Sequence, residues 1–140
     1  MKSKQQKSIF FFAIVLIVSA SLKLGLQFAD VIPFNADEAI VALMARHILQ
    51  GELPVFFYGQ VYMGSLDAFF VAGGFALFGQ HVWVIRLVQT VLFAGVIMTT
   101  AWVANLVFGD WKHGWIAVCF LAIPTVNVTI YTTATLGGYN

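Results

Sequence analysis

Apolar positions run almost unbroken from Ile9 to Leu22, again from Val82 to Phe108, and a third time from Trp115 toward Tyr131, with shorter mixed segments between them. Carried on to Phe28, the first run reaches about 30 Å as a helix, the thickness of a bilayer's hydrocarbon core. The run over 82–108 is the clearest span. It makes about 40 Å of helix, enough to cross with tilt, and its one charge, Arg86, lies near an end where a long side chain can snorkel to the interface. The pattern therefore predicts an all-α integral membrane fold with transmembrane helices over 9–28, 82–108 and 114–131. Gly109 to Gly114 reads as a tight polar turn before the third span.

Between the first two spans the pattern changes. Ile40, Leu43, Met44, His47 and Ile48 follow a spacing of three and four, which predicts a helix over 35–50. Asn35 can cap it, Asp37 and Glu38 fall in its first turn where the helix dipole favours negative charge, and Glu38 stands three residues after the cap, as in a capping box. Gly51 and Pro54 end it. The linker GELPVFFYGQVYMGS is rich in turn formers, and Phe56, Phe57, Tyr58 and Tyr62 suit a headgroup layer. A second short helix is expected over 65–79, beginning with Asp67. Leu66 to Phe78 makes only about 20 Å of helix, short of a span. The expectation is thus two juxtamembrane amphipathic helices in the first external loop. If 65–79 crossed instead, Arg86 would be carried to the cytoplasmic side.

Composition narrows the class. With 61% hydrophobic residues over 140 positions and 9% charged, the chain is not an ordinary soluble domain. A formal charge of +1 offers no basic face for nucleic acid. Cys119 is the one cysteine, so there is no disulfide framework or cysteine-based metal site. His47, His81 and His113 are too scattered to form an obvious ligand set, and no metal site or cofactor is expected. P-loop, dinucleotide, zinc-protease and hydrolase-elbow motifs are absent from the sequence.

Lys2, Lys4 and Lys7 ahead of the first apolar run hold the N-terminus in the cytoplasm by the positive-inside rule, which puts the loop after it on the external face of the plasma or inner membrane. Val18-Ser19-Ala20 keeps open a cleaved signal peptide as the alternative. The end of the chain, TIYTTATLGGYN, has neither cap nor charged flank, and the expectation is an N-terminal piece of a larger membrane protein.

Ionisable residues beside a membrane are costly and stand as functional candidates. Here they are Asp37, Glu38, Asp67 and Arg86, with Tyr62 as an aromatic surface on which a sugar ring can stack. Acids in a first helical turn also serve simply as capping groups, and tyrosines as an interfacial belt. The order of NADEAIVALMARHILQGELP, then YGQVYMGSLDAFFVAGGFALFG, then Arg86-Leu87 opening a long span resembles the N-terminal part of GT-C type polyprenyl-phosphate-sugar-dependent glycosyltransferases. These include the protein O-mannosyltransferases and aminoarabinose transferases. The resemblance covers nearly the whole chain, although Met63-Gly64-Ser65 stands where relatives often have a Pro-Pro pair.

The resemblance implies that Asp37 is the catalytic base with Glu38 orienting it, and that Asp67, Arg86 and Tyr62 bind substrate, Arg86 at the donor's phosphate. It implies a lipid-linked sugar as donor, a glycan, lipid or protein as acceptor, and no cofactor. The competing class is a non-catalytic membrane protein, a transporter fragment or assembly subunit, which would place its acids within the bilayer at broken helices.

Overall fold

The computed structural model describes residues 2–123 and 125–135, with side chains from residue 10 onward. The lysines at 2, 4 and 7 lie outside the described side chains, and Pro124 and the tail 136–140 outside the described residues. The fold is mostly helical. Its elements are α1 (Lys2–Phe28), α2 (Ala36–Leu49), β1 (Phe56–Phe57), β2 (Gln60–Gly64), α3 (Leu66–Phe78), α4 (Val82–Phe108), α5 (Trp111–Ala122) and α6 (Val126–Tyr131).

Local chemistry explains where these helices stop. The α1 terminus is a Schellman turn in which Val31 N–H reaches the Leu26 carbonyl and Asp30 N–H that of Gln27, with Asp30 in the left-handed region at φ 50°. Asp and Asn are the side-chain-bearing residues that most readily enter this region. At α2 both halves of the capping box form: Asn35 Oδ1 accepts from Glu38 N–H at 2.9 Å and Glu38 Oε2 from Asn35 N–H at 3.3 Å. Its other end closes on Gly51 at φ 97°, with Glu52 N–H on the His47 carbonyl.

Among the described residues two helices, Phe10–Phe28 and Val82–Phe108, are long and apolar enough to cross a membrane. Only 17% of either window is buried, so neither is the hidden core helix of a globular domain, which would pass the same length test. Large apolar side chains such as Trp102, Leu106, Phe108 and Phe120 point outward instead.

Among the described residues the interior has two parts that share α4. Val41, Met44 and Ala45 of α2 pack with Phe57, with Val71 and Phe75 of α3, and with Val84 and Ile85 of α4. Val15 of α1 packs with Phe93, Ile97 and Ala101 of α4 and with Val118 and Ala122 of α5. Two glycines let the helices meet. A Cβ on Gly114 would lie 2.9 Å from the Ala101 carbonyl oxygen, and one on Gly74 would lie 2.9 Å from Val84 Cγ1.

Five expectations need correction. The linker is not irregular: β1 and β2 pair antiparallel around Gly59 at φ 83°, so the fold is not purely α-helical. Phe57, expected in a headgroup layer, is 3% exposed and belongs to the core. The segment 114–131 is two helices rather than one, because a proline at 124 drives the residue before it toward extended geometry, and Ile123 adopts φ −117° and ψ 75°. The expected turn shrinks to Gly109 and Asp110, since Asp110 caps α5 and Trp111 to Gly114 form its first turn. Finally, α3 is not amphipathic. Asp67 is its one polar side chain, so Phe69, Phe70 and Leu77 are exposed while Ala68, Val71 and Ala72 are buried.

Candidate functional site

The candidate residues gather where the start of α2 meets the start of α4. Glu38 is fully buried and Arg86 is 5% exposed. The guanidinium grips the carboxylate as a two-pronged fork, Nε to Oε1 at 3.1 Å and Nη2 to Oε2 at 3.1 Å. Nη2 also donates to the Ile32 carbonyl at 2.9 Å. Both carboxylate oxygens are therefore engaged, one of them twice, since Oε2 also accepts from the Asn35 amide. A planar, permanently charged guanidinium suits this geometry in a way an ammonium would not.

Asp37 lies one residue earlier on the same helical turn. It is half-buried and accepts no hydrogen bond among the described residues. Adjacent residues on a helix point about 100° apart, so Glu38 can turn inward to Arg86 while Asp37 points elsewhere. The pair thus separates into a fixed carboxylate and an available one.

Asp67 and Tyr62 are elsewhere engaged or exposed. Asp67 Oδ2 accepts from Thr135 Oγ1 at 2.9 Å, which ties the first turn of α3 to the segment after α6. Tyr62 is 75% exposed on β2 and makes no hydrogen bond to Asp37, Glu38, Asp67 or Arg86. The structure brings together Glu38 and Arg86, with Asp37 alongside, and leaves Tyr62 outside that group.

Lys23 is the functional group that reading the sequence passed over. Only 1% exposed, its ammonium donates to the Thr132 carbonyl at 2.9 Å, Thr132 Oγ1 at 2.6 Å and Thr133 Oγ1 at 3.1 Å, and lies 4.2 Å from the centre of the Phe93 ring. A lysine inside an apolar run was itself the available signal. Its partners are neutral threonines more than a hundred residues away, which no charge-pairing rule would find.

A smaller network joins α2 to the hairpin. His47 Nδ1 lies 2.9 Å from Tyr58 Oη, and Tyr58 Oη donates to Glu52 Oε2 at 3.2 Å. Desolvation, with the Glu52 carboxylate adding to it, pushes the Tyr58 phenol above its ordinary value.

No family model, no curated protein and no solved structure matches this chain.

Proposed function

We propose that this chain is an integral membrane protein carrying the base-bearing loop of a glycosyltransferase that takes a sugar from a polyprenyl-phosphate donor. The observation that carries the reading is the division of labour at α2, where Glu38 is locked by Arg86 and Asp37 is left free beside it. A general base must be able to accept a proton, and a carboxylate already filled with donors cannot do so readily. Asp37 meets that requirement and Glu38 fixes the helical turn that presents it.

In the reaction, Asp37 takes the proton of an acceptor hydroxyl or amine as that group attacks the anomeric carbon. The bond from that carbon to the phosphate oxygen breaks, and the lipid phosphate leaves. Arg86 acts mainly through Glu38 here, because two of its three nitrogens are already used inside the protein. The bond between Glu38 and Arg86 also supports a topology in which α1 and α4 cross while α3 stays at the external interface, since it holds the end of the first apolar helix and the start of the second on one side.

Asp37→Asn is expected to lower transfer from a polyprenyl-phosphate sugar by about 10²–10⁴-fold, the usual contribution of a general base, with membrane insertion unchanged. Lys112→Ala, exposed on α5, is expected to leave transfer as it is. Retention of activity in Asp37→Asn would remove the catalytic assignment. Labelling of single cysteines at Ala36 and Gln80 by an impermeant reagent in intact cells is the test of topology, and protection of Gln80 alone would mean that α3 crosses.

A further inference from the structure

A cavity of about 640 Å³ opens between the end of α1 and the start of α4. Its walls are mainly apolar, with Leu24, Phe28, Val82 and Trp83 among them, and three polar residues, Gln27, Asp30 and Arg86, also face it. The Gln27 Nε2 amide is buried and has no hydrogen-bond partner, and Arg86 Nη1 donates to nothing among the described residues. Two unused donors and a carboxylate thus belong to residues that line an apolar cleft whose volume is that of a small-molecule site.

The charges select the kind of head that fits. Arg86 supplies one positive charge, while Glu38 and Asp30 supply two negative ones, so the surroundings are net negative and disfavour an occupant that is only anionic. A head with a phosphate for Gln27 and Arg86 and an ammonium for Asp30 satisfies all three groups and brings no net charge. We infer that the cleft between α1 and α4 holds a zwitterionic phospholipid with a primary-amine head, its phosphate toward Gln27 and Arg86, its ammonium toward Asp30, and its chains running inward along Leu24 and Leu87. Both helices have their ends here, and exposed Trp83 is a side chain of the kind expected at headgroup depth. The inference rests on the membrane part of the proposed function and is independent of its catalytic part.

Seated there, the lipid lies against the guanidinium that fixes Glu38. It therefore stiffens the turn carrying Asp37 without touching a reacting atom.

The test is native mass spectrometry of the full chain purified in detergent, titrated separately with dioleoyl-phosphatidylethanolamine, dioleoyl-phosphatidylglycerol and farnesyl phosphate. Phosphatidylethanolamine is expected to be retained about tenfold more strongly than phosphatidylglycerol, the scale of one charge-assisted hydrogen bond. Asp30→Asn is expected to bring that ratio close to one. Asparagine tolerates the left-handed backbone at this position, so the turn survives the change. Equal retention of the two phospholipids, or a ratio unmoved by Asp30→Asn, overturns the assignment, and preference for farnesyl phosphate would give the cleft to an isoprenoid anion instead. Should Asp30→Asn not be recovered folded, Leu24→Trp, which fills the cleft, serves in its place: loss of phosphatidylethanolamine is expected and undiminished retention overturns the site. Asp37→Asn should bind the lipid like wild type, so a failed transfer assay and a failed lipid site are separable results.

Discussion

Arg86 and Lys23 are both cations sealed from solvent, yet they are held in opposite ways. Arg86 meets a carboxylate in a fork and adds one backbone carbonyl, so charge is matched by charge. Lys23 meets two hydroxyls, one carbonyl and an aromatic face, all of them neutral. The difference decides what each removal leaves behind. Taking away Arg86 strands a fully buried anion, whereas taking away Lys23 strands oxygens that are neutral, one of which, Thr132 Oγ1, keeps its own bond to the Val128 carbonyl.

The sharpest break of this contrast is Arg86→Met. Losing one partner of a buried pair costs about 3–5 kcal/mol, so its thermal midpoint in detergent should fall furthest, and adding Glu38→Leu should recover much of the loss by removing the stranded charge. A double variant no better than the single would show that the fork is not the source of the effect. Next comes Gly114→Ala. Its methyl would press on the Ala101 backbone, which cannot rotate away as a side chain can, and overpacking of this kind costs about 1–3 kcal/mol. The same change should loosen α5 from α4, whose backbones meet at this glycine.

Lys23→Met should cost no more than about 1 kcal/mol, because a buried charge is replaced by an apolar chain of similar volume. A midpoint as low as that of Arg86→Met would erase the distinction between the two cations. The smallest effect belongs to the surface network. The Tyr58 phenol has a folded-state pKa above its ordinary 10.0, so the hydrogen bond it donates to Glu52 contributes fully below pH 10.0 and is lost as pH rises through the folded-state value. Ultraviolet titration of the phenolate should show this, with Glu52→Gln moving the transition downward.

Much of the helix pattern was legible in the sequence. Asn35 and Glu38 announce their capping box by spacing alone, and the boundaries of α4 follow from the apolar run and from Gly109, which closes it at φ 67°. The break after Ile123 was also written there, in Pro124, but the apolar composition on both sides hid it. The hairpin was harder, since its first strand is a pair of aromatics in a run equally suited to an interface. The Glu38–Arg86 fork joins positions 48 residues apart, which no local rule brings together, although two charges in an apolar chain do invite pairing. Lys23 was illegible for a different reason: its partners carry no charge, and threonines are too common to single out.

The guanidinium at 86 joins position 32 before α2, position 38 within it, and the start of the second long helix. Synthesis delivers those parts in order, and the last arrives well after the other two. Until α4 emerges, Glu38 has its capping bonds but no cation, and the loop from Val31 to Asn35 has no anchor at Ile32. The carboxylates are therefore made early and positioned late. Until α4 is made, Asp37 sits on a helix free to turn, so assembly of this group of side chains waits on the second long apolar helix and on closure of the loop between them.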